Sequence, residues 1–279
     1  MGEKILKNRT VEDSKVESKG IKKWGRSILN KLDKLFFPNN IKCLLCGRDL
    51  PSKQNIEFCD KCLPKLEKMS DKCCARCGAN LVGEEKFCLN CQNNELDFDI
   101  ARSVFKFDGE MKKLIHNFKY NNKPYISSTL AFCMADLFNT LKWKVNFVIP
   151  VPSSKETLKE RGYNQAELLA KEFCELTNLE LNTQILRKIK HTQQQANLGF
   201  KERKENLSGS FDIDLSWRKE LKGKTILLID DVITSCSTIS ECAKILKKRG
   251  AARVLVLAVA RANYKIPVQN DLKNAKSFV

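Results

Sequence analysis

Residues 226–238 read ILLIDDVITSCST, and this stretch decides the fold. Its first four residues are all apolar, which is typical of a strand buried on both faces of a parallel sheet. Two adjacent carboxylates, Asp230 and Asp231, follow directly, and a short loop then leads into the helical pattern of residues 238–249. Because ligands of open parallel sheets bind beyond the carboxyl ends of the strands, the stretch predicts a binding site at this point.

The loop behind the two acids is rich in small polar side chains. Backbone N–H groups at the N-terminus of a helix bind phosphate, and hydroxyl groups add further donors. The two carboxylates suit sugar hydroxyls, or a metal ion held by the same ligand. A strand that ends in a capped helix would explain one hydroxyl, at Ser237 or Thr238, but not the whole set. We therefore expect a site for a phosphorylated ribose, formed by Asp230, Asp231, Thr234, Ser235, Cys236, Ser237 and Thr238.

The C-terminal two thirds of the chain alternate between strand and helix patterns. Such alternation predicts an α/β fold, with a parallel sheet that is covered by helices on both faces. Asp108-Gly109 is typical of a turn. The predicted strands cover residues 98–107, 145–151, 184–189, 225–229 and 253–260, and the predicted helices cover residues 110–142, 164–176 and 238–249.

Eight of the thirteen cysteines form four consecutive C-x-x-C pairs. Each pair can present two thiolates to one tetrahedral ion, so four pairs make two four-sulfur sites. We predict two structural Zn²⁺ ions, because few apolar residues surround the cysteines and the metal must supply much of the folding energy. Sequential and cross-braced pairing both fit the spacing, and an iron–sulfur cluster or redox pairs are weaker alternatives. The predicted ligands are Cys43, Cys46, Cys59, Cys62, Cys74, Cys77, Cys88 and Cys91.

The net charge of +17 is unevenly distributed along the chain. Residues 43–99 carry 8 Lys+Arg and 10 Asp+Glu, whereas residues 100–279 carry 31 and 18. A positive field attracts nucleic acid, phosphorylated small molecules or anionic lipid, although solubility alone would also explain it. The pair Lys119 and Tyr120 is compatible with stacking on a nucleic-acid strand and also with a solvated basic face.

The N-terminal segment has neither an apolar signal region nor a membrane-spanning run, so we expect an intracellular protein. Residues 1–20 are predicted to be a disordered basic tail, and residues 21–38 an amphipathic helix. That helix would lie on a membrane surface or dock on the protein itself. The predicted organisation continues with a cysteine-rich zinc module over residues 39–97, the α/β domain over 98–264 and a C-terminal tail over 265–279.

The opening stretch resembles the phosphoribosyl pyrophosphate (PRPP) signature of type I phosphoribosyltransferases, which has an apolar strand, two acids and a Thr-Thr-Gly-x-Thr-like loop. Two further segments resemble the ComF competence-protein family. VIPVPSSKETLKERGYNQAELL over residues 148–169 is similar to its VPVP…RGxNQA segment, and HTQQQANLGFKERKENLSGSF over residues 191–211 to its TxxQ…R..N..G.F segment. Together with the C-x-x-C array, the resemblance to ComF covers residues 25–262.

The resemblance implies a type I phosphoribosyltransferase-like domain behind a double zinc ribbon. In that family the two acids contact the ribose hydroxyls of PRPP, the loop cradles the 5′-phosphate, and Mg²⁺ bridges ribose and pyrophosphate oxygens. The family's loop usually has glycine where this chain has Cys236, whose Cβ must be accommodated. We expect Cys236 to be a neutral filler rather than a nucleophile, because the sequence identifies no base beside it.

The same resemblance assigns roles in the segment after Pro152. Ser153, Ser154 and Lys155 correspond to the loop that meets pyrophosphate. Arg161 is expected to pair with phosphate or to form a salt bridge at the start of a helix. Residues 188–206 correspond to the region of a flexible loop that closes over PRPP and excludes water.

Three functions remain open from the sequence. The ComF resemblance implies a part in the uptake of single-stranded DNA during natural transformation, in the cytoplasm or at the membrane through a partner, together with competence and DNA-processing proteins. The second function is an active phosphoribosyltransferase, in which a nitrogen nucleophile attacks ribose C1 and pyrophosphate leaves. The third is a non-catalytic scaffold with a decayed site, of which Cys236 would be the trace.

Overall fold

The core of the protein is a four-stranded parallel sheet. A computed structural model describes residues 42–51, 55–189, 207 and 209–262 of the chain. Four of its strands pair in the order β1-β6-β5-β2, and the other two form a separate antiparallel sheet. The strands are β1 (Ile100–Lys106), β2 (Phe147–Pro150), β3 (Leu186–Lys188), β4 (Phe211–Ile213), β5 (Thr225–Ile233) and β6 (Arg253–Arg261).

Helices connect the parallel strands and cover both faces of the sheet, as the sequence predicts. The predicted helical region of residues 110–142 is divided in two at Pro124, because the residue before a proline is disfavoured in a helix. Two short 3₁₀ helices occur at Leu63–Lys65 and Leu215–Trp217. The described α-helices are α1 (Leu89–Asn93), α2 (Gly109–Tyr120), α3 (Ile126–Leu141), α4 (Lys155–Arg161), α5 (Gln165–Thr177), α6 (Arg218–Leu221) and α7 (Ser237–Lys248).

Strand β5 separates two hydrophobic cores, because successive residues of a strand point to opposite faces. Ile226 and Leu228 belong to the core under α7, on what we call the α7 face. Leu227 and Ile229 belong to the core under α2, α3 and α5, on the α3 face. All four side chains are fully buried, and burying such a side chain stabilises the fold by about 1.5–3 kcal/mol. This explains the uninterrupted apolar run with which the decisive stretch begins.

The cysteine-rich module packs along the free edge of β1. The backbone N–H of Met69 donates to the carbonyl of Val104 at 2.9 Å, and that of Lys106 donates to the carbonyl of Glu67 at 2.8 Å. On the opposite edge of the sheet, the backbone N–H of Val148 in β2 donates to the carbonyl of Glu180 at 2.8 Å. Both outer strands are therefore partly covered, which protects their backbone groups from pairing with other chains.

Three sequence-based expectations need correction. The strand predicted to end at Ile229 continues to Ile233, because β6 pairs with it over its whole length. The segment 184–189 contains β3, but β3 pairs antiparallel with β4 rather than joining the parallel sheet. Asp108-Gly109 leads into α2 and not into a hairpin, because β1 runs parallel to its neighbour.

Several predicted segments lie outside the described residues. They are the tail of residues 1–20, the amphipathic helix of residues 21–38 and the C-terminal tail of residues 265–279. Within the part of the chain that the structure describes, no helix has the length and apolar character needed to cross a membrane.

Candidate functional site

The two acids lie in β5 immediately past the point where its neighbour β2 ends. Pro150, the last residue of β2, pairs with Ile229, so the edge of β5 beside Asp230 and Asp231 has no strand next to it. Adjacent residues of a strand face opposite sides of the sheet, and Asp230 therefore lies on the α7 face and Asp231 on the α3 face. Both acids thus lie at the carboxyl end of the sheet, but they are still part of β5 and do not follow it.

On the α3 face, Asp231 forms an ion pair with Lys119. The Nζ of Lys119 lies 2.8 Å from Oδ2 of Asp231, and both side chains are largely buried. Burial alone would lower the pKa of Lys119, but the Asp231 carboxylate outweighs it and raises the pKa. Lys119 is therefore part of this site, and the alternative of a solvated basic face is wrong for this residue.

On the α7 face, no Lys or Arg among the described residues forms such an ion pair with Asp230. Burial and the neighbouring Asp231 carboxylate together raise the pKa of Asp230 to about 7, although Lys119 acts in the opposite direction. Its Oδ1 accepts a hydrogen bond from the backbone N–H of Asp231 at 2.8 Å. A carboxyl group in this situation is stabilised in its ionised form when a cation binds beside it, which is the chemistry that Mg²⁺ supplies.

The loop from Thr234 to Thr238 turns the chain from β5 into α7. Ser235, Cys236 and Ser237 are buried, whereas Thr234 is exposed. The hydroxyls of Ser235 and Ser237 lie 3.0 Å apart, and α7 begins at Ser237. All five predicted loop residues are therefore adjacent to the two acids and at the N-terminus of a twelve-residue helix.

Cys236 adopts a backbone conformation that normally selects glycine. Its φ is +71°, in the left-handed region, where a residue with a Cβ is strained by about 1–2 kcal/mol. Its side chain is buried in the same hydrophobic core as Cys77. The neighbouring Cys77 sulfur and burial raise the pKa of the Cys236 thiol well above its usual range. The group is therefore a neutral thiol.

The segment after β2 forms a second wall of the site. Ser154 caps α4, with its hydroxyl accepting from the backbone N–H of Thr157 at 3.2 Å. The Ser153 hydroxyl donates to Oδ1 of Asn164 at 3.1 Å, and Nδ2 of Asn164 donates to the carbonyl of Val151 at 3.1 Å. Asn164 thus fixes the path of the segment that carries the predicted pyrophosphate residues, of which Lys155 is exposed.

A groove of about 550 Å³ separates this wall from β3. Residues 152–156 line one side and residues 186–189 line the other. Lys188 lies there, where burial lowers its pKa although Glu156 and Asp230 act in the opposite direction. The groove therefore brings Lys155, Lys188 and Ser153 together, with Lys188 close enough to Asp230 to affect its pKa, an arrangement that suits an anionic ligand.

Within the described part of the chain, Arg161 does not form the salt bridge at a helix start that is the alternative to phosphate pairing. It ends α4 rather than starting a helix, and its guanidinium lies over the ring of Tyr120, 4.7 Å from the ring centre. Its Nη2 donates to the Tyr120 hydroxyl at 2.9 Å, and its Nη1 to Oε1 of Gln165 at 3.4 Å. Both helix-end residues, Tyr120 and Arg161, therefore border the side of the site where Lys119 meets Asp231.

The cysteines group in sequential order, which excludes the cross-braced pairing. The first cluster contains Cys43, Cys46, Cys59 and Cys62, and the second contains Cys74, Cys77, Cys88 and Cys91. Within each cluster the sulfur atoms lie within 4.8 Å of one another.

Both clusters fit zinc. A tetrahedral ion with zinc–sulfur bonds of about 2.3 Å holds its sulfurs about 3.8 Å apart. The Cys46–Cys59 and Cys77–Cys88 sulfur pairs are separated by 3.7 and 3.5 Å. The backbone N–H of Cys59 donates to the sulfur of Cys43 at 3.4 Å, a contact that stabilises a thiolate ligand. All eight ligands are used, so both sites are structural.

Sequence reasoning missed Lys119, Asn164 and Lys188 as members of the site. Asn164 directly precedes a helical pattern, and its role as a helix cap is a signal that was available. Lys119 and Lys188 are distant from the acids in sequence, and only the packing of α2 and β3 against β5 brings them close. Residues 190–206, which include most of the predicted flexible loop, lie outside the described residues.

Two protein families match this chain. Residues 32–92 match the double zinc ribbon domain, and residues 119–278 match the phosphoribosyl transferase domain. The second match covers strands β2 to β6, the loop and the groove described above.

Curated proteins are also similar to this chain over most of its length. Competence protein F of Haemophilus influenzae is 31% identical over 80% of this chain and 98% of its own length. DNA utilization protein YhgH of Salmonella typhimurium is 24% identical over 78% and 96%. Competence protein ComFC of Bacillus subtilis is 26% identical over 75% and 90%. Among solved structures, adenine phosphoribosyltransferase of Saccharomyces cerevisiae is 12% identical and covers 57% of this chain and 78% of its own, with a TM-score of 0.33.

Proposed function

Because this chain belongs to the ComF family of phosphoribosyltransferase-fold proteins with a double zinc ribbon, we propose that it binds PRPP together with Mg²⁺ at the end of β5. One observation carries the proposal. A pair of largely buried carboxylates at the edge of the sheet is followed by a hydroxyl-rich loop at the N-terminus of α7, with one loop residue in the left-handed conformation. In that combination, N–H and hydroxyl groups that can donate to an anion lie beside carboxylates that can accept from hydroxyl groups.

In the proposed complex, the 5′-phosphate accepts hydrogen bonds from backbone N–H groups and hydroxyls of residues 234–238. Asp230 and Asp231 accept hydrogen bonds from the ribose hydroxyls. Lys119 holds the Asp231 carboxylate in position through its ion pair. Mg²⁺, when bound with PRPP, neutralises charge on the pyrophosphate and beside Asp230.

The pyrophosphate end of the ligand is proposed to lie in the groove beside the segment after β2. Ser153 offers a hydroxyl, and Lys155 and Lys188 offer positive charge on the two sides of the groove. Arg161 is the remaining candidate on the α2 side, where it lies over Tyr120. A phosphoryl group entering there would give the guanidinium an anionic partner.

The test is calorimetric titration of PRPP and Mg²⁺ into the zinc-loaded protein, with the Asp230→Asn/Asp231→Asn variant as control. Each lost hydrogen bond to a charged group weakens binding by about 1.5–3 kcal/mol, so the variant should lose about a hundredfold in affinity or more. Absence of binding at about 1 mM PRPP would overturn the proposal and favour the decayed scaffold. Pyrophosphate release on addition of a nitrogen acceptor would show that the protein also catalyses transfer.

We further propose that the protein acts in DNA uptake or in the handling of single-stranded DNA, in the cytoplasm, with any membrane association provided by a partner. The names of its relatives refer to competence and DNA utilization. The excess of 31 Lys+Arg over 18 Asp+Glu in residues 100–279 supports contact with a polyanion. Tyr120 is half-exposed beside Arg161 and offers a ring on which a base could stack.

This second proposal is tested by binding of a fluorescent oligothymidylate at several salt concentrations. Each phosphate contact should contribute about −0.7 to the slope of log affinity against log salt. Tyr120→Ala should weaken binding without changing that slope, because stacking releases no counterions. Affinity that is independent of salt, or absent at low salt, would contradict a direct role with single-stranded DNA.

A further inference from the structure

A buried arginine joins the loop after β5 to the second cysteine cluster. Arg261 ends β6 and is 1% exposed. Its Nη1 donates to the carbonyl of Ile233 at 3.0 Å and also to the carbonyl of Thr234. Its Nη2 donates to the sulfur of Cys77 at 3.5 Å. We call residues 234–238 the phosphate loop. One guanidinium therefore holds the start of this loop on one side and a predicted zinc ligand on the other.

A further contact connects the same cluster to the following loop residue. Asn90 is buried in α1, between the ligands Cys88 and Cys91, and its Nδ2 donates to the carbonyl of Ser235 at 3.3 Å. Cys236, the next residue of the loop, is buried in the same hydrophobic core as Cys77. The three consecutive residues 233, 234 and 235 are thus each held by Arg261 or by Asn90 of the second cluster.

The first cluster has different surroundings. Cys43, Cys59 and Cys62 form a small core of their own, with Leu45 and Leu50 packed against it. Within the described ranges, no hydrogen bond links this cluster to the phosphate loop. The two metal sites therefore share their chemistry but not their neighbours.

We infer that Arg261 is a positioning residue through which zinc in the second cluster, and not in the first, fixes the conformation of the phosphate loop. A buried guanidinium needs an anionic partner, and a zinc-bound thiolate provides one in a fixed place. Without the ion, the two knuckles no longer hold the Cys77 sulfur in that place, and the carbonyls of Ile233 and Thr234 lose their common donor. That the loop binds the phosphate of PRPP rests on the proposed function, but the coupling between the second cluster and the loop does not.

The test compares full-length variants that each lose one metal site. Cys46→Ser removes a ligand of the first cluster, and Cys88→Ser removes a ligand of the second. Zinc content is measured for both, and hydrogen exchange is followed for the peptide that contains residues 231–240. Exchange in α5 serves as the internal reference for global unfolding. We expect Cys88→Ser to accelerate exchange in the loop by about tenfold or more, and Cys46→Ser to leave it within about twofold of the wild type.

Arg261 is tested with a matched arginine that contacts the same knuckle. Arg102 donates to the carbonyl of Ala75 at 3.3 Å but does not reach Cys77 or the loop. Arg261→Met should accelerate loop exchange while Arg102→Met does not. If Arg261→Met also accelerates exchange in α5, the milder Asn90→Ala variant decides, with an expected increase of about threefold confined to the loop.

The same proteins are titrated with PRPP and Mg²⁺. Cys88→Ser and Arg261→Met should bind about tenfold more weakly than Cys46→Ser and Arg102→Met. If the wild type does not bind PRPP, the proposed function fails and the exchange data alone judge the coupling. Equal loop exchange in the Cys46→Ser and Cys88→Ser variants would overturn it.

Discussion

The two faces of the parallel sheet treat the adjacent carboxylates of β5 in opposite ways. On the α3 face, Asp231 is neutralised by Lys119 at 2.8 Å. On the α7 face, Asp230 lacks a contact of this kind, and the pKa of its carboxyl is raised to about 7. The phosphate loop, the groove with Lys188 and the second cysteine cluster all lie on the Asp230 side. On the α3 face, the protein itself supplies the cation that pairs with Asp231. On the α7 face, the carboxyl group of Asp230 is left for a ligand to compensate.

The cysteine clusters follow the same division. Cys74, Cys77 and Cys91 belong to the core of the α7 face, whereas Leu44 and Leu45 of the first knuckle pack at the edge of the α3 core. The metal of the first cluster therefore stabilises a zinc ribbon at the periphery of the fold. The metal of the second cluster lies directly beneath the candidate binding site. The three comparisons below test this division, in order of decreasing effect.

Gly78→Ala should be the most damaging of these changes. A Cβ at this position, where φ is +69°, would lie 2.8 Å from the carbonyl oxygen of Ala101 in β1. Backbone strain and the clash together should lower the free energy of unfolding by about 3–4 kcal/mol. Gly47 is the matched control, because it has a φ of +72° and no atom within 4 Å of its Cβ position. Gly47→Ala should cost only about 1 kcal/mol in urea unfolding, and equal losses would contradict the division.

The pH dependence of stability should carry the signature of Asp230. Its carboxyl has a pKa of about 7 in the folded protein and 3.8 in an unperturbed chain, so the folded state binds more protons between these values. The contribution of Asp230 to the free energy of unfolding is therefore largest near the lower value. It falls as the pH rises to about 7, by up to about 1.4 kcal/mol for each pH unit.

Unfolding by urea at several pH values measures this slope. Asp230→Asn should flatten it, because the variant has no proton to lose there. Asp214 has a pKa that is lowered by its hydrogen bonds to Ser216, so Asp214→Asn should leave the slope between pH 4 and 7 unchanged. If Asp230→Asn keeps the wild-type slope over this range, Asp230 is ionised at low pH and the account of the α7 face is wrong.

Two lysines give the smallest contrast. Lys119→Met leaves the largely buried Asp231 without its partner and should lower the free energy of unfolding by about 1–2 kcal/mol. Asp231→Asn in the same chain should restore most of that loss, as a double-mutant cycle would reveal. Burial disfavours the charged form of Lys188, so Lys188→Met should change the free energy of unfolding by less than about 1 kcal/mol. The same variant should weaken the binding of an anionic ligand. Similar stability losses at both positions would remove the distinction between the faces.

Much of this architecture could be predicted from the sequence, because local patterns determine it. The apolar run before Asp230 specifies a doubly buried strand, and the four C-x-x-C pairs specify two metal sites. Local patterns could not fix the end of β5, since pairing with β6 continues past the acids. They also could not show that β3 leaves the parallel sheet to pair with β4. Register and strand partners depend on residues far apart in the chain.

The candidate site divides in the same way. The acids, the loop and the segment after β2 are contiguous motifs, and the structure brings them together as neighbours. The charges that surround them are not contiguous: Lys119 comes from α2, Lys188 from β3 and Arg261 from β6. Cys236 is instructive, because the sequence raised the question of a Cβ at a glycine position. The structure answers with a φ of +71° and a thiol that is buried in the same core as Cys77.

The measurement that tests the central claim most directly is a crystal structure of the zinc-loaded protein with PRPP and Mg²⁺. The account predicts that the 5′-phosphate lies about 3 Å from backbone nitrogens of residues 236–238, with the ribose hydroxyls at hydrogen-bonding distance from Asp230 and Asp231. A ligand whose phosphate groups lie elsewhere, with the loop after β5 empty, would contradict it.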